Sequence, residues 1–341
     1  MRNRPNPVVA TTGVGLKIGA KPREPPATES LAVAEIWRSE YPFASHFLPI
    51  GPYRLHYVDE GPRVDEGPRG TVEPGPLLCV HGNPTWSFYW RRWIERFQTR
   101  RRVVAPDHLG CGLSDKPGDY SYRLADHVEN LVRLIDDLDL RDVTLVAHDW
   151  GGAIGLGAAV RRSERFSRFI LCNTGAFRSD RCPWRIRMCR TPLLGPLAVR
   201  GANAFVRAAL RMATSKPERF TPEVRAGYLA PYDSFAHRVA VQRFVEDIPL
   251  AESHPSYRTL FDIERGLADL ADRPVLLAWG LRDWCFTPYF LERFRKFFPR
   301  AEVRCYPDAG HFVVEDARDE LLRDAAEFLD RTASTRSEIV S

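Results

Sequence analysis

Short apolar runs alternate along the chain with longer stretches in which apolar residues recur every three or four positions. The runs Tyr53 to Val58, Leu77 to Val80, Val103 to Ala105, Val143 to Ala147, Phe169 to Cys172, Val275 to Trp279 and Val303 to Tyr306 have the length and residue types of strands. Leu124 to Leu138 and Leu321 to Leu329 carry the helical period and predict helices that bury one stripe. Strands alternating with helices predict an α/β protein with a mostly parallel central sheet and helices on both faces.

That rhythm breaks once. Between residues 177 and 254 the strand-like runs vanish, and the segment is rich in Arg, Ala, Pro and aromatics with a helical pattern. An insertion at the carboxyl ends of parallel strands lies where ligands bind in such sheets, so it predicts a helical cap over a site. The expected organisation is a core of residues 31–176 and 255–332, a cap of 177–254, and two tails. Residues 1–30 are punctuated by Pro and Gly, and residues 333–341 are polar.

Composition narrows the class. A chain of 341 residues with 44% apolar and 27% charged positions can bury a large core. The net charge of +5 is spread among nearly as many acids as bases, which argues against a nucleic-acid partner. The N-terminal stretch lacks the apolar core and cleavage site of a signal peptide, and no run approaches the roughly 20 apolar residues of a membrane helix. Seven cysteines without CxxC spacing suit reduced core residues in a cytoplasmic protein. A Cys182–Cys189 bridge is the alternative, disfavoured because so large a chain needs no staple. The arginine-rich run Arg178 to Arg190 reads as a solvated face of the cap, with contact to a partner as its alternative.

The chemistry centres on VAHDWGG, Val146 to Gly152, where a strand passes into a glycine-opened helix with an acid at the tip. So sharp a turn forces its apical residue into sparsely allowed backbone geometry and requires small neighbours, here Ala147, Gly151 and Gly152. Asp149 is thereby aimed at the site as a nucleophile, with the Trp150 N–H and the helix N-terminus favouring its charge. A helix cap alone would not call for this glycine pattern. His311, in YPDAGHFVVEDA after the last strand, stands where the base follows the nucleophile and acid in chain order. Asp283, in AWGLRDWCF, is the orienting acid. The alternative location, after Cys172, offers Asn173 and no acid. His81, His108 and His148 also lie at strand ends, and Asp308 holds the turn before His311. HGNPTW, His81 to Trp86, follows the second predicted strand and places an amide donor at Asn83, which pairs with the indole N–H of Trp150. GCGLSD lacks the third glycine of a dinucleotide loop, and the cysteines and histidines lack metal-ligand spacing, so no cofactor and no metal is expected.

HGNPTW, PDHLGCGLSDKP, VAHDWGG, WGLRD and DAGHFVVEDA together resemble the haloalkane dehalogenases of the α/β-hydrolase superfamily, over roughly Tyr41 to Leu329. The resemblance implies an α/β-hydrolase fold, Asp149 as nucleophile, His311 as base, Asp283 as acid, and Asn83 with Trp150 as the halide-binding pair. An acid at Asp283 with a donor at Trp150 points to the third dehalogenase subfamily. The cap stretch LAPYDSFAHRVAVQRFVEDIPLAESHPSY is similar to the β-lactone decarboxylases of long-chain olefin formation, which share these residues. Phe244, Ile248 and Phe312 match pocket positions of the family, and Phe177 is a further candidate. The resemblance also implies self-association, or association with enzymes of the same pathway.

A carboxylate at the elbow selects for alkyl carbon. It displaces halide without first losing a proton and leaves an ester that water can open, whereas serine would leave an ether. The expected reaction is therefore carbon–halogen cleavage of a small apolar alkyl halide, with water as co-substrate and halide as product. The alternative is a β-lactone opened by Asp149 and fragmented to an alkene and carbon dioxide. Epoxide opening needs an acid, for which Tyr228, Tyr232 and Tyr257 are the candidates. A binding protein without catalysis is the remaining class.

Overall fold

The computed structural model describes residues 35–63 and 75–340, without the side chains of 334–340. Eight strands form one sheet: β1 (His46–Ile50), β2 (Tyr53–Glu60), β3 (Leu77–Val80), β4 (Val103–Pro106), β5 (Val143–Asp149), β6 (Phe166–Thr174), β7 (Val275–Gly280) and β8 (Glu302–Tyr306). Their order is β1-β2-β4-β3-β5-β6-β7-β8. The pairings from β4 through β8 are parallel, and β1 and β2 close one edge antiparallel.

Strands β3, β5, β6 and β7 are buried at every position, as a sheet covered on both faces requires. Period-two alternation divides their side chains between two cores. Leu78, Val80, Leu145 and Leu171 pack on one face with the helices Leu124–Asp137 and Trp150–Arg161. Leu77, Cys79, Val146 and Ile170 pack on the other with Trp90, Trp93 and the helix that begins at Arg318.

Between β6 and β7 the chain is helical, with Ala204–Met212, Pro222–Leu229, Val239–Glu246 and Tyr257–Gly266 as its longer elements. Polar ties bind this insertion to the core. Buried Asp247 accepts Leu124 N at 2.8 Å and the Arg123 guanidinium at 2.8 Å, so a carboxylate from the insertion caps a core helix. From the core side, Trp86 Nε1 donates to Gly227 O of the insertion at 3.0 Å.

One expectation is corrected, and one strand was not foreseen. The polar segment 333–341 is not a tail through its length, because the helix from Arg318 continues to Val340. The sequence after Arg318 contains no Gly or Pro to stop it. Strand β1 had no expectation, since it is short, interrupted by Pro49 and largely exposed, as suits an edge. The expected tail at residues 1–30 lies outside the described residues. All seven cysteines are free thiols, Cys182 and Cys189 included, and three of them (Cys79, Cys111, Cys172) are core residues. Among the described residues no helix is long and apolar enough to cross a membrane.

Candidate active site

Strand β5 ends at Asp149, and the next residue begins a helix. Asp149 sits at φ 53° and ψ −128°, a conformation that L-residues avoid and that the surrounding packing must enforce. Close approach around it accounts for the glycines. A Cβ on Gly151 would lie 2.1 Å from Val80 O, and one on Gly82 would lie 2.4 Å from the Asp149 Cβ. Asp149 Oδ1 receives Trp150 N–H and, at 3.5 Å, Asn83 N–H. One carboxylate oxygen is therefore anchored by backbone donors, and Oδ2 is left to face the cavity and His311.

His311 Nε2 lies 3.2 Å from Asp149 Oδ2, and its Nδ1 lies 2.9 Å from Asp283 Oδ2. Three residues from the ends of β5, β7 and β8 thus form one hydrogen-bonded line. Burial opposes a charged His311 ring, but the carboxylates of Asp283 and Asp149 outweigh it and push its pKa up to about 10. At neutral pH the ring is an imidazolium between two carboxylates. The Phe286 ring stacks on it at 5.8 Å and 19°. His148 is kept neutral, chiefly by burial, and its Nε2 donates to His311 O at 2.8 Å.

The second shelf of the site is the loop after β3. His108 N donates to His81 Nε2 at 3.0 Å, and His108 Nε2 donates to His81 O at 2.9 Å, so two buried rings fix the backbone entering Asn83. Burial is the leading cause that holds both below the usual imidazole pKa. The Asn83 side-chain NH2 donates to Val241 O at 3.2 Å in the insertion, which leaves its second hydrogen for a ligand.

Asn83, Asp149, Ile186, Phe205 and Cys285 line both of two apolar cavities, which consequently meet at the carboxylate. The first, about 150 Å³, runs past Trp150 and Phe177 to Val245, Ile248, Leu260 and Phe290. The second, about 220 Å³, runs along Ala204, Ala208, Ala209 and Met212 and is walled by Trp284 and His311. Of the expected pocket residues, Ile248 and Phe177 line the first cavity. Phe244 and Phe312 line neither. Phe244 packs behind the Trp150 ring at 5.4 Å, and Phe312 packs edge-on to His311 at 6.0 Å among Tyr89, Phe220 and Tyr228.

Asn173, which the sequence offers only as a position lacking an acid, has a structural role. Its φ is 30°, and its Nδ2 donates to Asp283 Oδ2 at 3.0 Å while its Oδ1 accepts Gly280 N–H at 2.7 Å. The Asn at the end of β6 instead holds the acid from β7, a role that only the pairing of those strands makes visible. The alanine wall had a signal in the sequence: Ala204 and Ala208 are four residues apart and share a helix face.

The fold and these side chains define an α/β hydrolase. Residues 75–317 match the family described as alpha/beta hydrolase fold, and the chain belongs to it. Within that family it belongs with the haloalkane dehalogenases and their β-lactone-cleaving relatives. It is 38% identical over 304 residues to the cis-3-alkyl-4-alkyloxetan-2-one decarboxylase of Shewanella oneidensis, covering 87% of this chain and 92% of that one. It is 34% identical over 294 residues to haloalkane dehalogenase 2 of Mycobacterium tuberculosis, covering 85% and 96%. A loop variant of the haloalkane dehalogenase DbeA from Bradyrhizobium elkanii superposes with a TM-score of 0.76 at 25% identity, over 87% of this chain and 99% of that one.

Proposed function

We propose that the enzyme decarboxylates cis-3,4-dialkyl β-lactones to cis-alkenes and carbon dioxide. The observation that carries this reading is the meeting of two apolar cavities at Asp149, since such a lactone bears an alkyl arm on each of two adjacent ring carbons. A simple alkyl halide has one arm to place. The cis-3-alkyl-4-alkyloxetan-2-one decarboxylases of Shewanella oneidensis and Xanthomonas campestris, each 38% identical to this chain, support the same choice.

In this scheme Asp149 Oδ2 attacks the ring carbon that carries the ring oxygen, with inversion. The carbon–oxygen bond breaks and its electron pair becomes the released carboxylate, while Oδ1, held by Trp150 and Asn83 N–H, becomes the ester carbonyl. The free hydrogen of the Asn83 amide and the Trp150 indole N–H hold the new carboxylate. The bond from that carboxylate to the chain then breaks, its electrons form the double bond, and the ester oxygen leaves with its pair as the Asp149 carboxylate. Inversion followed by anti elimination preserves the cis relationship. No water and no proton is consumed.

The three tyrosines offered as acids for epoxide opening lie outside both cavities. Tyr228 OH donates to Glu315 at 2.5 Å and Tyr232 OH to Thr85 O at 3.3 Å. Tyr257 OH instead donates to Glu252 at 3.5 Å. Epoxide hydrolysis is set aside on that ground.

Dehalogenation is the second reading, favoured by the Asn83 and Trp150 donors beside the carboxylate, because a halide leaves on hydrogen-bond donors without taking a proton. There His311 has a separate task. Once Asp149 is esterified its charge no longer supports the imidazolium, the ring gives its proton to solvent, and the neutral His311 takes a proton from the water that opens the ester. One purified preparation, offered a cis-dialkyl β-lactone and a bromoalkane, tests both: alkene release without comparable halide release is expected. The reverse result replaces the first reading with the second.

A further inference from the structure

From Arg181 to Pro217 the chain contains seven arginines, one lysine and no acid. The same stretch carries the five most exposed large apolar side chains among the described residues. Trp184 is 63% exposed, Met188 60%, Leu193 86%, Leu194 67% and Leu197 66%. Leucines left that open on a monomer mark a surface made for something else. The backbone at Leu193 is itself forced, at φ 65° and ψ −52°, in a tight turn closed by Leu194 N donating to Pro192 O at 2.8 Å. That strained turn lifts the most exposed leucine off the protein.

The arginines around it are not used up by acids. Arg181 lies over Tyr289, Arg185 over Trp184 and Trp284, and Arg187 and Arg190 donate to backbone carbonyls. None of the four pairs with a carboxylate among the described residues. Arg181, Cys182, Pro183 and Ile186 also wall the first cavity, and Arg185 and Cys189 the second. The exposed apolar edge and the wall of the substrate cavities are therefore two sides of one segment.

We propose that residues 184–197 dock on an anionic lipid surface, with Trp184, Met188, Leu193, Leu194 and Leu197 entering the headgroup boundary and the flanking arginines meeting lipid phosphates. An aromatic ring, aliphatic side chains and unneutralised guanidinium groups on one edge are what such a boundary rewards. A second copy of this chain fits less well, because a two-fold contact would set the cationic edge against itself. Nucleic acid offers phosphates but nothing to cover the leucines. Docking would bring both cavities next to the phase in which long apolar substrates accumulate, and it stands whether the leaving group is a carboxylate or a halide.

The test is flotation of the full chain with phosphatidylcholine vesicles, with and without phosphatidylglycerol. Binding is expected only with the anionic lipid. The triple variant Leu193→Ser/Leu194→Ser/Leu197→Ser should lower the bound fraction about tenfold, with unchanged circular dichroism and unchanged turnover of a short, water-soluble substrate. Trp184→Ser gives the same readout should the triple variant fold poorly. Three results overturn the proposal: no flotation with anionic vesicles, equal flotation of wild type and variants, or a wild-type oligomer by light scattering that the variants lose. A soluble acidic protein that competes the chain off the vesicles stoichiometrically and binds it more tightly would reassign the surface to a protein partner.

Discussion

Asn173 Nδ2 and His311 Nδ1 share one oxygen of Asp283, at 3.0 and 2.9 Å. The other oxygen, Oδ1, receives Cys285 N–H at 2.6 Å, so both ends of the acid are fixed before it orients the histidine. Asn173→Ala removes one of these donors without touching the cavities. A loss of about tenfold in kcat, equivalent to about 1.4 kcal/mol, is expected with KM nearly unchanged. A change confined to KM would show that Asn173 acts elsewhere.

His311→Gln separates the two reactions. With a bromoalkane the ester on Asp149 should persist, because the base that opens it is gone, and intact-protein mass spectrometry should show the alkyl adduct. With a β-lactone no adduct should accumulate, since the released carboxylate itself expels Asp149. Asp149→Asn should abolish product from either substrate. Alkene formation surviving in that variant would remove Asp149 from the mechanism.

The two cavities predict separable chain preferences. Ala209→Phe should reject lactones with one long arm while retaining those in which that arm is short, and Ile248→Phe should act on the other arm. Competition between lactones of matched total length but unequal arms reads this directly. Identical preference profiles for the two variants would mean that the cavities do not serve separate arms.

Raising the pH should cost stability through His311. Its folded pKa of about 10 stands above the ordinary 6.5, so its contribution is complete below about pH 6.5 and is lost as pH rises through 10. Asp283→Asn removes the leading carboxylate that supports the imidazolium. The fall in Tm between pH 7 and 10 should therefore be shallower in the variant than in the wild type. Parallel slopes by circular dichroism would contradict a charged resting ring.

Tyr228 should matter to the fold and not to turnover. It donates to Glu315, which also pairs with buried Arg91 through NH2 at 3.1 Å. Tyr228→Phe should cost about 1.5 to 3 kcal/mol of stability, the range for a hydrogen bond to a charged group, and leave kcat within about twofold. A collapse of kcat with normal stability would return Tyr228 to the role of acid.

How much of this could be read in the sequence depended on how local the cause was. Elbow geometry is local, so Asp149 and its glycines announced themselves, as did the strands that alternate with helices. Chain order located His311 and Asp283. The failures were matters of three-dimensional direction. Phe244 and Phe312 pack against Trp150 and His311 without lining the cavities, and no spacing rule reports which side of a neighbour a ring will take. Asn173 gained its role from the β6–β7 pairing, across 110 positions of sequence. The helix Pro288–Phe297 does carry a start signal, Thr287 followed by Pro288.

The line Asp149, His311, Asp283 has a consequence for product escape. Two carboxylates and one imidazolium leave the resting site with one negative charge, and attack on a lactone transfers that charge to the departing fragment without changing the sum. When the fragment leaves as carbon dioxide and an alkene, both departing species are neutral and apolar, and the negative charge is already back on Asp149. On the lactone reading the cycle ends with no ion to expel and none to recruit, whereas a dehalogenase must release a halide at every round.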